Sequence, residues 1–199
     1  MPHDGTVVAL PSSTATRASR AQASELGLLS GAVPLAHGPD VLGAGAAGYT
    51  AFLLQQCEGR DLWQTKSLLP HLLAQALLLG AMALLIASPS NALVAVALFA
   101  AFWHLGFALQ EARGAHHTDN ARQAASLLPR IPAWKGTNLK AFSQGLQLST
   151  AAPLIAAACI LLSTAALPGA LALCAVAAAV GVFFYEQAFV RAGQLPPLS

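Results

Sequence analysis

Two stretches of this chain carry no Asp, Glu, Lys or Arg at all: Ser67 to Gln110 and Ala141 to Tyr185. Soluble domains carry about 25% charged residues, and this chain carries 9%. In lipid every peptide N–H and C=O must be satisfied within its own segment, so uncharged apolar runs of this length fold as helices. About 20 residues cross a bilayer, which gives each stretch room for two crossings. Uncharged turns divide them, Ser88-Pro89-Ser90-Asn91 in the first and Pro168-Gly169 in the second. The expected fold is all-α, a polytopic transmembrane bundle of four to five helices.

In chain order, residues 1–35 read as a disordered tail rich in Ser, Ala, Thr and Gly, without the basic start and apolar core of a signal peptide. A transmembrane domain over 36–199 follows. Its expected spans are 36–56, 67–87, 92–110, 146–167 and 170–190. The first is the weakest. Its apolar core, Val41 to Leu54, is short for a crossing, and Gly43, Gly45 and Gly48 give it a slim face that another helix could approach closely. Pro70 and Pro153 are placed in the first turns of spans two and four, where a missing N–H costs little.

The polar loop 111–145 holds Arg113, Arg122, Arg130, Lys135 and Lys140, half of the ten basic residues. Asp119 or Asn120 is expected to cap a short interfacial helix running to Leu128, and Trp134 suits a headgroup layer. The link 57–66 adds Arg60 and Lys66, and Arg191 lies near the C-terminus. The turns at 88–91 and 167–170 have no base. Positive charge thus alternates, which places both charged loops and the C-terminus in the cytoplasm.

Composition excludes several functions. The dispersed bases and a net charge of +2 do not suit nucleic acid. Cys57, Cys159 and Cys174 are far apart, with no metal-binding spacing. No phosphate loop, dinucleotide fingerprint or Ser-His-Asp set is present. His116-His117-Thr118-Asp119 reads as a solvated loop rather than a metal site, since adjacent histidines diverge on a helix and nothing nearby completes four ligands.

Ionisable groups inside spans are costly in lipid and default to function. A helical pitch puts His71 and Gln75 on one face of span two, and His104 and Glu111 on one face of span three. Because the two spans form a hairpin, the histidines should share a depth. They could bind a quinone carbonyl and relay a proton, hold a b-type haem as axial ligands, or each be satisfied by a backbone carbonyl or a neighbouring hydroxyl inside the bundle. Glu186 and Arg191 close the last span. With Arg60 and Asp61 they are expected to form a polar cluster on the cytoplasmic side, or else Arg191 reaches to the headgroups while Glu186 pairs locally.

Two segments point to a family. Glu58-Gly59-Arg60-Asp61-Leu62-Trp63 with Leu69-Pro70-His71, and Val190-Arg191-Ala192-Gly193-Gln194 leading to Leu195-Pro196-Pro197-Leu198-Ser199, resemble the NrfD/polysulfide-reductase membrane subunits. The loop from Thr118 to Ala125 is similar to that family's linker. The resemblance covers about residues 41–199. Family members usually have about eight to ten spans, so the N-terminal spans of the pattern are missing.

The resemblance implies a quinol/quinone-interacting subunit in the bacterial inner (cytoplasmic) membrane. It would pass electrons between menaquinone or ubiquinone and a four-cluster ferredoxin-like iron–sulfur subunit, itself bound to a molybdopterin catalytic subunit. No haem is expected. The roles that follow are a quinone hydrogen bond from His71, orientation by Gln75, and proton relay through His104 and Glu111. The alternatives are a non-catalytic membrane anchor or assembly subunit, or a haem-b subunit.

Overall fold

Lipid-facing helices must close their own hydrogen bonds, and the chain does this four times over. The computed structural model describes residues 45–114, 116–162 and 167–196. The tail 1–35 and the start of the first span lie outside them. Among the described residues there are six α-helices: α1 (45–55), α2 (Leu68–Ala87), α3 (Asn91–Arg113), α4 (Asp119–Leu127), α5 (Ala141–Leu162) and α6 (Leu167–Gln194). Four of them, α2, α3, α5 and α6, are long and apolar enough to cross a membrane.

The four long helices form a ring. α2 packs on α3 and α6, and α5 packs on the same two neighbours. Alternating direction brings the start of α2, the end of α3, the start of α5 and the end of α6 to one end of the bundle. We call this the loop end, because the link 56–67 and the segment 116–140 lie there. Phe102, Leu161, Leu162 and Leu173 on the outer faces are 69%, 79%, 74% and 73% exposed. Apolar surface on this scale is what acyl chains would cover.

Several boundaries differ from the sequence reading. Thr118, not Asp119 or Asn120, caps α4; its hydroxyl accepts from the Ala121 N–H at 3.1 Å. Asp119 instead occupies the first turn, where a carboxylate also suits the helix dipole. Pro168-Gly169 is no turn but lies in the first turn of α6, a position proline tolerates. α5 begins five residues earlier than expected, so Pro153 sits in its interior, where it cannot donate to the Ser149 carbonyl. α3 runs on to Arg113, which puts Glu111 inside the helix rather than past it. Gly45 and Gly48 face open space: a Cβ at either would meet no described atom within 4 Å, so no described helix packs on that slim face.

The closest approach lies elsewhere, between α5 and α6. A Cβ on Gly145 would meet the Tyr185 N at 2.6 Å and the Gly181 O at 2.9 Å; one on Gly181 would meet the Gly145 O at 2.9 Å. The two backbones touch because neither residue has a side chain, the packing device of membrane helices. Each glycine is followed four residues later by a polar side chain that points inward: Ser149 and Tyr185, both buried.

At the loop end the two family-like segments meet each other. The Arg60 guanidinium donates to the carbonyls of Gly193 (3.2 Å), Gln194 (2.8 Å) and Pro196 (3.1 Å). These are carbonyls the end of α6 cannot satisfy itself, and a cation there also suits its dipole. Trp63 packs directly against Gly193, where a Cβ would collide with its ring.

Replacing Gly181 by Leu should force α5 and α6 apart and cost at least ~1–3 kcal/mol, the usual range for overpacking. Gly80→Leu and Gly106→Leu, at positions with open space around them, should change stability little. Thermal unfolding in detergent micelles distinguishes the two cases.

Candidate functional site

The centre of the ring is polar at one level only. His71 of α2, His104 and Glu111 of α3, Ser149 of α5 and Tyr185 of α6 are each at most 2% exposed. Gln75, one turn along α2 from His71, is 4% exposed. A buried polar atom without a partner costs several kcal/mol in such surroundings, and these side chains supply each other's partners.

His71 is the hub. Its Nδ1 lies 2.9 Å from Glu111 Oε1, and its Nε2 lies 2.8 Å from His104 Nδ1. His104 Nε2 continues to Ser149 Oγ at 3.1 Å. The Tyr185 hydroxyl donates to Glu111 Oε2. The rings of His71 and Tyr185 have centroids 5.0 Å apart, and those of His104 and Tyr185 5.1 Å. One continuous array, Tyr185–Glu111–His71–His104–Ser149, therefore joins all four long helices.

Hydrogen positions follow from the partners, and two assignments fit the same heavy atoms. In the first, the Ser149 hydroxyl donates to the Gly145 carbonyl at 2.8 Å. Ser149 Oγ then accepts from His104 Nε2–H, His104 Nδ1 accepts from His71 Nε2–H, and one further proton is shared between His71 Nδ1 and Glu111. In the second, Ser149 donates to His104 Nε2, His104 Nδ1–H donates to His71 Nε2, and His71 Nδ1–H donates to an ionised Glu111. The Gln75 amide, 3.4 Å from His71 Nε2, can donate there only in the second. The two assignments differ by one proton. Passing from the first to the second reverses the direction of every bond from Ser149 to His71.

The structure brings together four residues singled out from the sequence: His71, Gln75, His104 and Glu111. Both ring nitrogens of His71 are engaged, so a quinone carbonyl could reach His71 only by displacing Glu111 or His104. His71 Nε2 and His104 Nδ1 are also too close to flank an iron, since two ligand bonds of ~2 Å each would need ~4 Å between them.

The second expected group does not assemble. Among the described residues the ion pairs within 4 Å are His71–Glu111 and Arg122–Asp119, so Arg60, Asp61, Glu186 and Arg191 form no cluster. Arg60 binds backbone carbonyls instead. With the Gln187 amide turned to the orientation that satisfies both its ends, its oxygen accepts from Arg191 at 3.1 Å and its nitrogen donates to the Ala133 carbonyl at 3.1 Å. Glu186 follows Tyr185 on α6 and is half-buried. His116 bonds the Glu111 backbone carbonyl through Nε2 at 3.0 Å.

Ser149 and Tyr185 escaped the sequence reading. Neither carries a charge, and the available signal was indirect: each follows a glycine by four residues on the face those glycines bring into contact.

Comparison with protein-family models, with curated proteins and with solved structures finds no match.

Truncating one member of a buried hydrogen-bonded ion pair typically costs ~3–5 kcal/mol. Glu111→Ala should fall in that range, and Ser149→Ala, which leaves only His104 Nε2 without its partner, should cost ~1–3 kcal/mol. The double variant Glu111→Ala with His71→Ala should cost clearly less than the sum of the two single changes, as read from denaturation in micelles.

Proposed function

We propose that this chain is a membrane-embedded, quinol/quinone-interacting subunit of a respiratory oxidoreductase, and that the His71-centred array handles its protons. The observation that carries this reading is the array itself. Intramembrane ionisable groups are retained mainly where they move protons or bind substrates. Here they are linked into a chain whose two hydrogen-bond assignments differ by one proton.

An apolar groove supports the substrate class. It lies between α2 and α3, has a volume of about 350 Å³, and is lined by Pro70, Leu73, Leu77, Phe99, Trp103 and Phe107 among others. That size suits a small apolar ligand. The groove and the array share a wall, because the Phe107 ring lies 5.6 Å from that of His71 and Pro70 precedes His71 in the chain. A lipophilic ring held against Phe107 and Trp103 would stand one side chain away from the array.

Oxidation of a hydroquinone releases two electrons and two protons. The electrons would pass to an iron–sulfur partner, the four-cluster ferredoxin-like subunit that the sequence resemblance implies, and on to a molybdopterin catalytic subunit. The array would take the protons one at a time, emptying between them. His71 then acts by accepting and passing protons rather than by the direct quinone hydrogen bond read from the sequence. Gln75 orients it, and Glu111 and His104 complete the relay. Location in a bacterial inner membrane, with loop end and C-terminus cytoplasmic, belongs to this proposal and draws on the alternation of basic residues.

In the assembled complex, His71→Ala should abolish quinol oxidation while the peripheral subunits remain bound. Unchanged turnover would overturn the assignment. Turnover that fails only because the complex no longer assembles would favour a membrane anchor instead.

A further inference from the structure

The loop end of the bundle carries a polar opening next to one member of the array. A cavity of about 450 Å³ opens there, and Glu111 forms part of its wall. Asp61 and Lys66 line it from the link before α2, Gln110 from the end of α3, and His116 and His117 from the loop before α4. Its wall is thus rich in groups that exchange protons with water. Glu111 is the one group that belongs both to this cavity and to the buried array.

On the opposite side the described residues form an apolar floor. One helical turn beyond Gln75, His104, Ser149 and Tyr185 stands an apolar side chain on each of the four helices: Leu78 on α2, Ala101 on α3, Ala152 on α5 and Val182 on α6. Their exposures are 0%, 5%, 1% and 6%, and they belong to one packed cluster with Met82 and Leu85. From Leu78 to the end of α2 this apolar interior extends for about 14 Å, at 1.5 Å per residue. Among the described residues, Cys174 is the only side chain of that buried cluster able to donate a hydrogen bond. A proton on Ser149 therefore has no onward partner there, whereas one on Glu111 does.

We propose that the cavity is the proton mouth of the array and that the array is a half-path. It exchanges its proton with the loop side through Glu111 and is sealed from the other side by the apolar floor. The groups facing it from the packed elements are His71 on α2, His104 on α3, and Tyr185 and Glu186 on α6. None of them lies beyond the floor. This goes beyond the quinone reading and does not need it, because any proton the array holds, whatever its source, leaves and returns on one side. A redox reaction served by the array would draw its protons from that side alone.

Proteoliposomes carrying the full chain with the loop end outward test this. Infrared difference spectra after a pH jump report the carboxyl bands, and the band lost in Glu111→Gln is assigned to Glu111. A jump on the outside should shift that band at least tenfold faster than the same jump imposed on the inside. Equal rates from the two sides, a faster response from the inside, or no response from either would overturn the proposal. Should Glu111→Gln not fold, Glu111→Asp makes the assignment through a band displaced in frequency, with the same sidedness expected. The measurement needs no quinone and no partner subunit, so its failure is separate from failure of the quinol-oxidation test.

Discussion

Everything at the centre of this bundle follows from the cost of a polar atom in an apolar interior. His71 brings two ring nitrogens into a buried position in the helix ring, and both must be paired. Glu111 and His104 pair them. Each of these needs a further partner in turn, and Tyr185 and Ser149 provide it. The requirement propagates until all four helices contribute. A buried ion pair is weak evidence for stability, since desolvation offsets much of its attraction. What such an arrangement supplies is register: only one rotation and depth of each helix closes the array.

The rest of the architecture serves that closure. Gly145 and Gly181 let α5 and α6 touch, which carries Ser149 and Tyr185 to the axis. Arg60 and Trp63 hold the end of α6 from the loop side, fixing the depth at which Tyr185 meets Glu111. The two segments that meet at the loop end are matched to this contact. A glycine at 193 leaves room for the Trp63 ring, and an arginine at 60 reaches three carbonyls through one terminal guanidinium nitrogen.

Much of this was legible in the chain. Long uncharged runs announce membrane helices, and helical pitch with hairpin logic places His71 and His104 at one depth, where the structure has them hydrogen-bonded. The helix ends were harder. α5 and α6 begin with residues that read as loop or turn, because proline and glycine mark a helix's first turn as readily as its absence. The array's uncharged members were not legible, because a serine or tyrosine among alanines gives no signal until the partner helix is known. The expected cluster of Arg60, Asp61, Glu186 and Arg191 failed for a related reason. Shared side of the membrane does not mean contact, and backbone carbonyls and amides at helix ends compete for the same cations.

The central claim is that His71 and His104 share a hydrogen bond inside a proton-holding chain. Nitrogen-15 solid-state NMR of the histidine-labelled protein in lipid reads this directly. The expected spectrum has a scalar coupling between His71 Nε2 and His104 Nδ1, and a shift of both rings together when the proton is removed. Two independently titrating, solvent-like imidazoles with no coupling between them would contradict it.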